Sequence, residues 1–117
     1  MLYLMSTTVI PHGADGVWHM ATISTGQAIE MVTAVEYTSA IGHESSADAM
    51  SAALGMAVTA NRLTVCPSPS DQFLCMRLHR RPPEGVILDR AALEQIGFSW
   101  ALMTYLGLLP GRLKATA

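Results

Sequence analysis

The chain has 117 residues, of which 50% are apolar and 14% charged, with a formal net charge of -2. That composition fills one core in one domain and carries too little positive charge for a binder of long duplex nucleic acid, whose affinity comes from many lysine and arginine contacts to phosphates. No window approaches the roughly 18 uninterrupted apolar residues of a membrane span, and Met1 to Ile10 lacks the basic start and cleavage pattern of a signal peptide, so a cytoplasmic protein is expected.

Leu2 to Met5 and Gly16 to Ile23 read as strands, separated by a turn around Pro11, His12, Gly13 and Asp15 and therefore expected to form a hairpin. Ser24 with Gln27 is a capping-box pattern, and Ala28, Ile29, Val32 and Val35 follow it at helical spacing. Tyr37 to Ile41 is β-prone and Gly42 permits a sharp turn. Ser45 followed by Asp48 reads as an N-cap opening a helix over Ala47 to Leu54, which Gly55 stops.

Asn61-Arg62 opens the next strand, Leu63 to Cys66, and Phe73 to His79 forms another, the two joined as a second hairpin by Pro67-Ser68-Pro69-Ser70-Asp71. Asp89 caps a short helix through Ile96, Gly97 ends it, and Phe98 to Leu106 is a last apolar strand. Residues 1–109 thus form a single α/β (α+β) domain, a mixed sheet of about five to six strands with about three helices, and 110–117 a loose tail. The mean hydropathy of +0.33 is high for a monomer of this size and points to a buried oligomer face.

Cys66 and Cys75 match no zinc spacing and read as small buried hydrophobes in neighbouring strands. His12 falls in a polar turn, His19 alternates with Trp18 and Met20 on a strand and faces solvent or an interface, and His79 ends a strand beside the arginine cluster, where it can assist binding; neither His19 nor His79 is assigned a catalytic role. The eight methionines are scattered along the chain, which suits core filling.

Two clusters carry chemistry. Ser39 to Ala47 delivers His43 from a strand to the start of a helix, where unpaired N–H groups and the helix dipole attract anions, and an imidazole can there protonate a leaving oxygen. Glu44 and Asp48 already place negative charge at that end. The second cluster is Arg77, Arg80 and Arg81 running into Pro82-Pro83-Glu84-Gly85. The prolines hold the loop extended, so Arg81 and Glu84 are presented on a stiff support. Arginine forks grip phosphate bidentately, and a nearby carboxylate can orient the arginine or accept a ribose proton. The plainer alternative is a solvated Arg/Glu surface pair. No phosphate-binding glycine loop, dinucleotide fingerprint, paired metal-ligand motif or nucleophile elbow is present, so neither metal nor cofactor is expected.

Leu2-Tyr3-Leu4, the block Ser39 to Ala47, Asn61-Arg62, and Arg81-Pro82-Pro83-Glu84-Gly85 with Leu88 resemble, in order and spacing, the viral and bacterial ring nuclease family. Its best-known members are anti-CRISPR enzymes that destroy cyclic tetra-adenylate, the second messenger of type III CRISPR defence. The resemblance implies a catalytic histidine at His43, an active-site arginine at Arg81 and glutamate at Glu84. It implies ligand contacts from Ser6, Gly42, Ser45, Ser46, Arg62 and Arg77. Ser6 stands where the viral enzymes often have Asn, and Arg77 where at least one has Gln. It also implies a homodimer that binds cyclic tetra-adenylate across its interface and cleaves it by 2′-hydroxyl attack without metal. A cyclic-nucleotide-binding dimer that sequesters or senses without cleaving is the main alternative, and a structural dimer without nucleotide ranks third.

Overall fold

Residues 1–7 and 14–108 are described by a computed structural model. Their elements are β1 (Leu2–Met5), β2 (Val17–Ile23), α1 (Thr25–Ala34), β3 (Tyr37–Ser39), α2 (Glu44–Leu54), β4 (Gln72–Leu78), α3 (Arg90–Ile96) and β5 (Phe98–Gly107). The α+β architecture is the expected one, with five strands in a single mixed sheet of order β2-β5-β4-β1-β3. The tail at 110–117 and the turn residue His12 lie outside the described residues.

Local signals set the helix boundaries. Ser24 caps α1, its hydroxyl accepting from the Gln27 N–H while the Gln27 side chain accepts from the Ser24 N–H. Asp89 caps α3 by accepting from the Ala92 N–H at 2.8 Å. Gly55 stops α2 in the left-handed region, φ 71°. The start of α2 differs from expectation. It begins at Glu44 with His43 as the N-cap, and no side chain caps it; Ser45 is already inside the first turn.

Pairing differs more. β1 runs parallel to both β3 and β4, so both its edges are occupied and no β1–β2 hairpin forms. β2 instead pairs antiparallel with β5 at the far edge. The second expected hairpin is also absent: β4 has β1 on one edge and β5 on the other, leaving no edge for Leu63 to Cys66. Pro67 and Pro69 lack N–H donors in any case. Residues 57–68 run as irregular chain, held by Asn61 N–H to the Ile41 carbonyl (2.7 Å), Asn61 Nδ2 to the Ser39 carbonyl (2.8 Å) and Ser39 Oγ to the Thr59 carbonyl (2.6 Å). Asn61-Arg62 therefore buttresses the end of β3 rather than opening a strand.

All three helices pack on one sheet face. Leu2, Leu4, Leu74, Met76 and Trp100 meet Ala28 and Val32 of α1, Ala47, Met50, Ala53 and Leu54 of α2, and Leu93 of α3, and the small alanines let the helices approach closely. On the other face Phe73, Cys75, Met103 and Val65 form a second cluster, with no helix over it among the described residues. There Phe73 stacks on Tyr3 at 5.1 Å and touches Trp18 at 5.5 Å.

The two cysteines part company: Cys75 is buried, Cys66 is exposed, and both are free thiols. Burial pushes the Cys75 thiol up from 9.0 to about 12, partly opposed by the nearby Arg77 charge. The folded chain therefore keeps a proton that the unfolded chain releases above pH 9. The stability linked to Cys75 is full below that pH and is lost as pH rises toward 12. We expect iodoacetamide to alkylate Cys66 alone in the native protein, with Cys75 labelled only on unfolding, as read by peptide mass spectrometry. Urea midpoints should fall more steeply above pH 9 in the parent chain than in Cys75→Ala.

Candidate functional site

Because β1, β3 and β4 are mutually parallel, their C-terminal ends emerge at one edge of the sheet. Ser6 follows β1, Gly42 and His43 follow β3 by a short bend, and Arg80 and Arg81 follow β4. The carboxyl ends of parallel strands are where open α/β sheets place their ligand crevices.

A cleft of about 180 Å³ opens there. Ser6, Ser45 and Ser46 supply its polar side, while Met50, Met76 and Leu78 floor it from the core, and Pro82 and Leu88 wall it from the β4–α3 loop. Three of the sequence-predicted ligand residues thus converge from two elements. Ser45 and Ala49, and likewise Ser46 and Met50, are four apart on α2 and present one helix face to the cleft. The first-turn amides of α2 receive no side-chain cap, so this end of the helix retains N–H donors for an anion. His43, two residues before Ser45, is exposed.

The other predicted residues are placed differently. Arg81 is exposed and lines a neighbouring cavity with Arg80. Glu84 is exposed in the turn closed by Gly85 at φ 76°. Among the described residues the ion pairs are Met1 N–Asp71 and Arg90–Glu94, so Arg81 and Glu84 form neither the surface pair nor the carboxylate-oriented arginine considered from sequence. Arg77 does not join the cleft. Met76 and Leu78 line it, and strand alternation turns Arg77 to the opposite face, in register with Ser99. Arg62 is bound to the corner itself, Nε donating to the Gly42 carbonyl at 3.3 Å. It thereby props the bend that carries His43.

Gly42 was expected for its conformational freedom, yet its φ is not among the left-handed ones. A Cβ there would meet Arg62 Cγ at 3.7 Å, an ordinary contact. The bend is held by hydrogen bonds from Asn61 and Arg62 instead. Met50 and Met76 are the core fillers expected from sequence and also floor the cleft, while Ala92, Gln95 and Ile96 of α3, which no residue signal pointed to, wall the neighbouring cavity of Arg80 and Arg81. The available signal was the long excursion between β4 and β5: antiparallel neighbours need only a tight turn, and a longer connection is commonly functional.

The STIV B116-like family model matches residues 2–100. The chain belongs to that family. It is 33% identical over 102 residues to the ORF117 protein of Acidianus two-tailed virus, covering 84% of this chain and 87% of that protein. It is also 34% identical over 70 residues to YddF of Bacillus subtilis (strain 168), covering 60% and 65%. Among solved structures, B116 of Sulfolobus turreted icosahedral virus superposes with a TM-score of 0.73 at 17% identity, over 88% of this chain and 97% of that one. This last likeness shows that the chain shares the overall fold of B116.

The corner generates a contrast. Gly42→Ala should leave thermal stability within about 0.5 to 1 kcal/mol of the parent, the range of a tolerated surface change. Asn61→Ala should cost about 1 to 3 kcal/mol, since it strips a hydrogen bond from the partly buried Ser39 carbonyl. Urea denaturation of both variants checks the pair, and a severe loss in Gly42→Ala would contradict it.

Proposed function

We propose that the protein is a metal-independent ring nuclease that cleaves cyclic tetra-adenylate into linear di-adenylates and so silences type III CRISPR signalling. The observation that carries this reading is the convergence of Ser6, the uncapped α2 terminus with His43, Ser45 and Ser46, and the Arg80–Leu88 loop on one sheet edge. Membership of a family with viral relatives supports the setting.

In a ribose 3′-5′ linkage the 2′-hydroxyl is tethered beside the phosphorus, so the protein has mainly to align it and to stabilise charge. The 2′-oxygen bonds to phosphorus while the P–O5′ bond breaks. The 2′-proton leaves to Glu84 or to solvent, and His43 as imidazolium protonates the departing 5′-oxygen. The products are a 2′,3′-cyclic phosphate and a free 5′-hydroxyl. Arg81 holds the phosphoryl oxygens, and the amides and hydroxyls at Ser45 and Ser46 seat the phosphate. Among the described residues Glu84 makes no ion pair with Arg81, so an alternative role in orienting Arg81 or His43 would require the loop to rearrange around the bound phosphate. A homodimer fits the ligand: an isologous pair shares the two-fold axis that a cyclic tetranucleotide presents, so two copies of His43 face opposite phosphates.

A sequestering dimer is favoured by one observation: Arg81 and Glu84 are exposed, and neither lines the cleft of Ser45 and Ser46, Arg81 facing the neighbouring cavity. Product analysis separates the two. Incubation with cyclic tetra-adenylate in EDTA should yield linear di-adenylates, because the nucleophile is internal to the substrate; activity abolished by EDTA and restored by a divalent ion would defeat the mechanism. His43→Ala should retain the fold and much of the affinity while slowing single-turnover cleavage by about 100- to 10,000-fold, the span of general acid–base catalysis. Arg81→Ala should instead lower affinity and rate together, by about 1.5 to 3 kcal/mol of charge-assisted contact.

A further inference from the structure

A second cavity, of about 200 Å³, lies between the loop after β4 and the α3 helix. Arg80, Arg81 and Val86 form its loop side; Ala92, Gln95 and Ile96 form its helix side. The mechanism above uses only Arg81 of these. We propose that this cavity is a nucleobase slot, which holds an adenine of the cyclic ligand while Arg81 takes the adjacent phosphate. The proposal rests on the cyclic-nucleotide reading and deepens it.

The first argument is chemical. The cavity combines apolar side chains with two guanidinium groups and no carboxylate, the surroundings in which a base stacks on an arginine plane. Its volume is below the roughly 300 to 1,000 Å³ of pockets for drug-sized ligands, which suits one planar ring system rather than a whole nucleotide.

The second is that one wall is fixed. Arg80 Nη2 donates to the Gln95 carbonyl at 2.8 Å, which ties the exposed guanidinium across the end of α3. The Gln95 amide offers both a donor and an acceptor, the pair that an adenine edge matches.

The third is continuity with the cleft. Pro82 and Leu88 face the Ser45–Ser46 cleft, whereas Arg81, Pro83 and Val86 face the second cavity. One loop is the partition between them, so a ligand that repeats phosphate and base can occupy both sides of it.

The test uses binding to the full chain carrying His43→Ala, so that ligand survives. Ala92→Phe fills the slot and should weaken cyclic tetra-adenylate binding about 10- to 100-fold, the loss of a stacked base. Gln95→Ala should reduce the preference for cyclic tetra-adenylate over cyclic tetra-uridylate. In the parent chain, adenosine 5′-monophosphate should shift the methyl resonances of Val86, Ala92 and Ile96, and ribose 5-phosphate should not. Parental affinity in a folded Ala92→Phe variant, or the same shifts from ribose 5-phosphate, overturns the slot. The two readings fail separately. Cleavage of cyclic tetra-adenylate with those methyls unmoved removes the slot alone, whereas methyls shifted by adenosine 5′-monophosphate in a chain that cleaves nothing remove the nuclease alone.

Discussion

The parallel pairing of β1 with both β3 and β4 is the constraint on which the site depends. It sends three strand ends to one edge, and it does so through backbone hydrogen bonds that no single side chain can undo. Antiparallel β5 must begin at that same edge, because Phe98 pairs with Leu78 at the end of β4. Whatever joins β4 to β5 is therefore confined to the neighbourhood of His43 and Ser6. The chain places a proline-stiffened loop and α3 there instead of a tight turn, and both cavities are walled by that insertion. A parallel core and a long antiparallel connection together make a site that neither would make alone.

With only 14% of residues charged, the few cations have distinct duties. Arg62 is committed to the Gly42 carbonyl and Arg80 to the Gln95 carbonyl, so each spends part of its donor set on holding architecture. Arg81 has no such bond among the described residues, which leaves its fork available. The magnitudes separate the contributions. A helix terminus is worth about 0.3 to 1 kcal/mol toward an exposed anion, whereas a charge-assisted bond from a guanidinium is worth about 1.5 to 3 kcal/mol. In a phosphate site built this way, the arginine supplies most of the affinity, and the α2 amides and serine hydroxyls supply direction.

What could be read from sequence follows the range of the interaction. Ser24 with Gln27, Asp89, Gly55 and Gly97 act within a turn of themselves, and each sits at the helix boundary it was assigned. Strand pairing is set by partners distant in sequence, and both hairpins inferred from adjacency failed because β1 and β4 had already spent their edges. Ser45 looked like a cap because Asp48 follows it, but the backbone turns extended at His43, φ -127° and ψ 135°, so the helix starts before the serine. Ser6, Ser45 and Ser46, put forward through the family resemblance, line one cleft because Ser6 directly follows β1 and the other two lie in the first turn of α2. Arg77 was misplaced because proximity to Arg80 and Arg81 along the chain says nothing of which sheet face it occupies. The α3 wall had no residue-type signature at all.

Substrate size adds a further step under the nuclease reading. Each cavity is on the scale of part of one nucleotide, about 180 Å³ for the cleft and about 200 Å³ for the slot, and the loop between them is exposed on its outer side, with Ile87 at 83% of its full accessibility. A ring of four nucleotides exceeds what one such pair can enclose. Water exclusion, which strengthens every charge interaction in a phosphoryl site, then has to come from a second surface closing over the first. Under that reading, a second copy related by a two-fold axis would provide one, and it would bring a second His43 to the opposite phosphate by the same operation. In the proposed dimer, cleavage into equal halves would follow from that symmetry rather than from any added recognition element.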